Sequence, residues 1–201
     1  MGYYIRILGT SLAAPMLAEL QQVVQPAIIE TSEGADQEWE KFVLKHASEI
    51  PIALVEKNLV AEGNLGSEEI AEFLDEIGHY KPESAVHWLR GYLPHVKVIY
   101  AFQLLSGTDM DDGSELMHRA FSLIWKNAGG ILQADLEGFS NEAGNTILWQ
   151  FTDAVTGEWN AAVLDGSGNW VNFEMDLGNQ RQREAFWRGE VPPEAKILSA
   201  G

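Results

Sequence analysis

The sequence predicts an α+β fold: a mixed or antiparallel sheet with a C-terminal four-stranded antiparallel meander and helices packed on its apolar face. Two stretches carry that expectation. Residues 96–139 read as strand, turn, amphipathic helix, glycine stop and strand, the parts of a right-handed βαβ unit. Residues 131–176 alternate apolar and polar positions between regularly spaced turn signals. With 46% hydrophobic residues in 201, the chain can bury one sizeable core or two small ones. No linker, repeat or low-complexity tract interrupts it. A single domain over 1–201 is expected, with a β/α half at 1–93 and the βαβ unit plus meander at 94–201.

Taken in order, Tyr3 to Leu8 is aromatic and β-branched and stops at Gly9, which predicts a first strand. Leu17, Leu20 and Val24 share a helical face over Ala13 to Val24, and Pro26 ends it. Ala27 to Thr31 and Phe42 to Lys45 read as short strands flanking an acidic loop, Ser32 to Glu40. Ile52 to Val60 is a further strand, with a bend expected at Lys57-Asn58. Ser67 is the expected N-cap of a helix to Ile77, whose Glu68, Glu69 and Glu72 suit the positive end of the helix dipole. Pro82 to Leu93 is a second helix, closed by Pro94. Val96 to Leu105 is apolar on both faces after its first lysine, which marks a central, buried strand. A helix from Gly113 to Asn127 then leads through Gly129-Gly130 to a strand from Ile131 to Phe139.

The meander makes a prediction about register. Tight turns at Asn141 to Gly144, 153–157 and Asp165 to Asn169 place Leu136 opposite Trp149 and Trp149 opposite Ala161. In the last hairpin they place Val163 opposite Val171, Ala161 opposite Phe173 and Trp159 opposite Met175. Apolar residues then gather on one face, an agreement that a one-residue slip destroys. The other face receives Gln133, Asp135, Glu137, Gln150, Asn160, Asn172 and Glu174 around an apolar island. In that island Leu148 is expected to face Ala162, and Leu164 to face Trp170. An apolar patch inside a polar rim is the usual layout of an interaction site, so Leu148, Ala162, Leu164 and Trp170, with Asp135 and Glu137 at the rim, are the candidate partner-binding residues. A helix from the N-terminal half, or another subunit, lying over the island is the competing expectation. The chain closes with a helix from Asn179 to Arg188 and Pro192-Pro193.

Thirty acidic residues against 13 Lys and Arg give a formal charge of −17. The excess is spread along the chain. Such a field repels nucleic acid and anionic membranes and speeds encounter with a basic partner. There is no cysteine, which excludes disulfides, thiolate nucleophiles and zinc–thiolate sites. The N-terminal residues lack the basic-then-apolar layout of a signal peptide, and no apolar run approaches ~18 residues. A cytoplasmic protein without membrane or nucleic-acid partners is expected.

Chemistry leaves few marks. Two Glu-x-x-His pairs, Glu76/His79 and Glu115/His118, recur in di-iron bundles, but this chain is strand-rich and a helix-surface ion pair is the commoner outcome. Asp109 to Gly113 and Asp165 to Asn169 begin like calcium loops, yet neither has glycine at the sixth position and glutamate at the twelfth. They read instead as a helix start and a hairpin loop. Gly-x-Ser-x-Gly and the glycine-rich phosphate loops are absent. His118 together with Asp135 or Glu137 is the one acid–base grouping that chain order suggests. No catalytic residue, cofactor or metal is therefore assigned. The leading expectation is a non-enzymatic binding protein acting through a protein–protein interface, an inhibitor or immunity-type protein for a basic partner, or self-association. The second is a cysteine-independent acid–base enzyme or hydrolase using His and carboxylate groups. A concave site with converging His and carboxylates points to the second, and a flat acidic surface to the first.

Overall fold

The computed structural model describes residues 2–33, 36, 38–152 and 154–198. The acidic loop expected at Ser32 to Glu40 and the turn at 153–157 fall partly outside these residues. The elements in the N-terminal half are β1 (Tyr4–Gly9), α1 (Leu17–Val23), β2 (Ile28–Glu33), β3 (Lys41–Lys45), β4 (Pro51–Leu59), α2 (Leu65–Glu76) and α3 (Glu83–Tyr92). There follow β5 (Val98–Leu104), α4 (Gly113–Ala128), β6 (Ile131–Ala134), β7 (Gly138–Ser140) and β8 (Thr146–Trp149). The chain ends with β9 (Glu158–Leu164), β10 (Trp170–Asp176), α5 (Gln180–Trp187) and a two-residue β11 (Lys196–Ile197) that the sequence pattern did not suggest. The fold is α+β, with mixed but mostly antiparallel strand pairing.

Two compact units interleave along the chain, Met1–Glu68 with Val96–Gly130 and Glu69–His95 with Ile131–Gly201. The division differs from the halves expected at 93/94, because α3 packs with the C-terminal strands and β5 with the N-terminal ones.

In the first unit the strand order is β1-β5-β4-β3-β2, with every pair antiparallel. The central, buried position expected for the 96–105 strand is found: Val98 to Ala101 are buried, and Phe102 is fully so. The strand that follows α4 is not paired with β5, whose neighbours are β1 and β4, both antiparallel. Ile5, Phe102, Val55 and Phe42 are successive cross-strand partners and so share one face. Lys57 and Asn58 do not bend β4, which stays in register with β5 to Leu59. On α4, Leu116, Ala120, Phe121, Ile124 and Ala128 form the buried stripe, with Phe121 edge-on to Phe102 at 5.2 Å. Trp39, assigned from sequence to the acidic loop, is a core residue. Its indole donates to the Pro15 carbonyl at 2.9 Å, and its ring lies 5.0 Å from Phe42 and 5.7 Å from Tyr100.

In the second unit the order β6-β7-β8-β9-β10-β11 follows the chain. The last long hairpin has the predicted register, with Val171 opposite Val163, Phe173 opposite Ala161 and Met175 opposite Trp159. Upstream the register differs. The strand expected over Ile131 to Phe139 is a hairpin, β6 and β7, turning at Asp135 to Glu137. Leu136 sits at its tip with φ +64° and 71% exposure, not opposite Trp149. Gly138 takes that place. Its φ of +111° and a Leu148 carbonyl only 2.0 Å from where a Cβ would stand leave room for no other residue. The expected Trp149–Ala161 pairing is replaced by a single parallel bridge between Thr146 and Ala161. The cause is the chain at Lys81, whose carbonyl accepts the Trp149 N–H at 2.9 Å. With Gly138 on its other side, Trp149 has no free edge for β9.

The predicted apolar face still forms. Trp149, Ala161, Val163, Phe173, Met175 and Leu177 make one cluster, closed by Phe186 of α5. Asn179 caps α5 through its side-chain oxygen, which accepts from Arg181 N at 3.1 Å. By contrast, Ser67 does not cap α2: the helix begins at Leu65, and the Ser67 hydroxyl donates back to the Asn64 carbonyl at 2.7 Å.

Candidate functional site

The residues expected to form an exposed island are covered. Leu148 and Ala162 are fully buried, Leu164 and Trp170 partly so. Leu164 does face Trp170, but Leu148 faces Phe139 rather than Ala162. α3 closes this face. Trp88 meets the Trp170 ring edge-on at 5.1 Å and stacks on Tyr92 at 4.7 Å. Asp135 and Glu137 lie in the β6–β7 turn. The rim is also less polar in effect than expected, because Gln133 is buried and Asn141 hydrogen-bonds Asn172 at 3.2 Å. A fully buried Leu148 and Ala162 offer a partner no surface, so a docking face has to be sought elsewhere.

The other sequence candidates resolve as local structure. Glu115 pairs with Arg119 one turn along α4, and His118 contacts the Ser122 hydroxyl at 3.3 Å. α2 ends at Glu76, and His79 belongs to the 3-10 turn after it. Asp165 accepts from the backbone N–H groups of Ser167 and Asn169 at 2.8 and 2.9 Å. The Asn169 bond, then that of Ser167, holds its carboxyl below the usual carboxylate range, as a loop-closing aspartate requires. Among the described residues no three His, Asp or Glu side chains gather as a metal-ligand set.

One grouping was not visible in the sequence. His46 Nδ1 lies 2.7 Å from Ser48 Oγ, and His46 Nε2 lies 3.2 Å from Asp112 Oδ1. Serine, histidine and aspartate in a row suggest nucleophilic catalysis. The base nitrogen is already committed, however, because His46 Nδ1 also accepts the Ser48 backbone N–H at 3.1 Å. That bond belongs to the turn between β3 and β4, which the His46 N–H closes onto the Ile50 carbonyl at 2.8 Å. A turn staple accounts for the two Ser48 contacts, and the Asp112 contact ties that turn to the start of α4.

Two charged surfaces remain. α2 buries Ile70 and Phe73 and exposes Glu68, Glu72, Asp75 and Glu76. None of these four carboxylates makes an ion pair among the described residues, and the helix has no basic residue in its last turn. Glu68/Glu72 and Glu72/Glu76 are like-charge pairs one turn apart, while Asp75 and Glu76 face the negative end of the helix dipole. Each arrangement costs a few tenths of a kcal/mol or more.

The second surface is a cleft of about 370 Å³ formed by the turn at residues 78–81 and the first two turns of α3. His79, Tyr80, Lys81, Glu83, His87 and Arg90 line it. Glu83, His87 and Arg90 fall at i, i+4 and i+7 of α3, one side of the helix. Lys81 Nζ meets Glu83 Oε1 at 2.5 Å, and this hydrogen bond holds the Glu83 carboxyl below its usual range. The Glu-x-x-His spacing pairs His79 with Glu76, while the i, i+3 spacing of His87 and Arg90 matches no site template. That spacing, after a histidine and a lysine in the preceding turn, was the only signal available.

Fold and sites together define an α+β protein with an acidic helix face and a small cationic cleft. No protein-family model matches the chain, and comparisons with curated proteins and with solved structures give no match.

Proposed function

We propose that the chain is a non-enzymatic binding protein that docks a basic protein partner, as an inhibitor or immunity-type protein does, on the exposed face of α2. The observation that carries this reading is the run of Glu68, Glu72, Asp75 and Glu76 along one side of α2 with no ion-pair partner among the described residues. Solubility alone is served by charges placed anywhere. Carboxylates stacked one turn apart, and at the wrong end of the dipole, lower the stability of the helix that bears them. Binding is the use that repays such a loss, because a complementary basic surface neutralises the stripe and is steered toward it. Two copies at −17 each repel, which favours a basic partner over self-association.

Affinity capture from the native lysate tests this with wild type and the variant Glu68→Lys/Glu72→Lys/Asp75→Lys/Glu76→Lys, at about 0.15 M and about 1 M salt. Wild type is expected to retain a basic protein at the lower salt and release it at the higher. The variant, folded and melting no earlier than wild type, is expected not to retain it. Equal retention by both chains overturns the reading.

A further inference from the structure

We propose that the cleft between the turn at residues 78–81 and α3 binds a small phosphate monoester, with the Arg90 guanidinium as the main anchor for the phosphate. The inference is independent of the partner-docking reading of α2.

Donors outnumber acceptors around the cleft. Arg90 carries five N–H donors, Lys81 three, each imidazole at least one and Tyr80 a hydroxyl. The only carboxylate in the lining is Glu83, and Lys81 already occupies it at 2.5 Å. Acids outnumber Lys and Arg by 30 to 13, and several of the cations have a carboxylate partner. Lys41, Lys45, Arg119, Arg188 and Lys196 all have one. Arg90, His79 and His87 have none among the described residues, although all three are exposed and converge on one cleft. A surplus of donors around one cleft matches the three acceptor-rich oxygens of a phosphate monoester, and the guanidinium fork suits two of them at once.

Gly78 adjoins the Arg90 guanidinium. Its φ lies outside the left-handed region, so backbone conformation does not demand glycine there. What a side chain would meet is Arg90 Nη2, 3.1 Å from the Cβ position. Glycine at 78 therefore spares the guanidinium a shift of a few tenths of an ångström.

The size of the ligand follows from the walls. About 370 Å³ is at the lower end of the range for small-molecule sites, and Val86 is the one aliphatic side chain in the lining. A compact, polar body fits, of the size of a sugar phosphate. The neighbouring cavity of about 540 Å³ is a poorer candidate, since Glu184 lines it and its Arg188 is held by Glu190 at 2.9 Å.

Calorimetric titration with glucose 6-phosphate, inorganic phosphate and glucose at physiological salt tests the proposal, with 31P line broadening as a second readout. The wild-type chain is expected to bind glucose 6-phosphate and not glucose. Arg90→Gln should weaken binding about tenfold or more, the usual size of a lost charge-assisted contact. Arg90→Lys, which keeps the charge without the fork, should fall between, and decides the matter if Arg90→Gln melts early. Arg181→Gln, an exposed arginine on α5 outside the cleft, should leave affinity unchanged. Wild-type affinity no tighter than about 10 mM, equal affinity in both Arg90 variants and wild type, or equal losses from Arg90→Gln and Arg181→Gln each overturns the site. Binding of inorganic phosphate without the ester overturns the monoester assignment.

Discussion

The first unit is one antiparallel ladder whose outer strands are tied by cross-strand ion pairs, Lys41 with Glu56 and Lys45 with Glu30. The second is built in pieces, with a tight hairpin at Leu136, a single parallel bridge at Thr146 and helices against both faces of its sheet. Their interiors differ in the same sense. The first unit buries the aromatic rings of Trp39, Phe42, Tyr100 and Phe102. The second buries amides as well: Asn141 is 1% exposed, and its Oδ1 accepts from the N–H groups of Ala143 and Asn145, both at 3.0 Å. A long ladder fixes register by repetition. A pieced sheet needs specific anchors, here Gly138, Lys81 and the amide turn.

Trp149→Ala breaks this comparison most severely if it is mistaken. Trp149 lies between Gly138 and the chain at Lys81, its indole donates to the Phe151 carbonyl at 3.1 Å, and Phe186 and Trp187 of α5 pack on its ring. Its loss should open a cavity and cost ~3–5 kcal/mol, read as a lower denaturant midpoint. A midpoint equal to that of wild type would show that the second unit does not depend on this anchor.

Trp170→Ala is the next largest. Because Trp88 of α3 covers it, the substitution should lower stability by about 2 kcal/mol, less than a fully buried tryptophan costs. The sedimentation profile should stay that of wild type. Changed association with unchanged stability would restore the island as an interface and remove α3 as its cover.

How far the sequence disclosed all this depends on what each element uses to hold its place. Period-2 alternation and glycine or proline stops marked β5, β9, β10 and α4 within a few residues, because their own side chains decide their faces. Alternation also found the face that α5 closes. It missed the break at Asp135 to Glu137, although Gly138 inside a strand pattern was a signal for it. It could not supply the bridge from Lys81 to Trp149, since that contact is long-range and made by backbone atoms, which carry no residue pattern. The island was misjudged for the same reason: apolar positions opposite a core face say that something covers them, not whether it is a partner or the chain's own Trp88. The acidic face of α2 was legible as charge, while the cationic cleft depends on four side chains meeting across a turn and a helix.

The smallest expected effect sharpens the account of the first unit. Tyr100 is fully buried on β5, and its hydroxyl has no hydrogen-bond partner among the described residues. Burial pushes the phenol up to about 12, from an ordinary value of 10.0. The raised value has a definite sign. Between pH 10 and 12 the unfolded chain releases this proton and the folded chain keeps it, so the unfolded state binds fewer protons and stability falls as pH rises. The contribution is complete below about pH 10 and is lost on passing through 12. Removing the hydroxyl also removes an unsatisfied polar group from an apolar site, and that cost typically lies near 1 kcal/mol or above. Tyr100→Phe should therefore equal or exceed wild type by up to about 1 kcal/mol at pH 8. Lysines and other tyrosines titrate in both proteins, so the quantity to follow is the difference between their urea midpoints from pH 8 to 12. That difference should widen in favour of Tyr100→Phe above pH 10. A constant difference across the range would mean that the Tyr100 hydroxyl reaches water, and that the core of the first unit is less dry than that of the second.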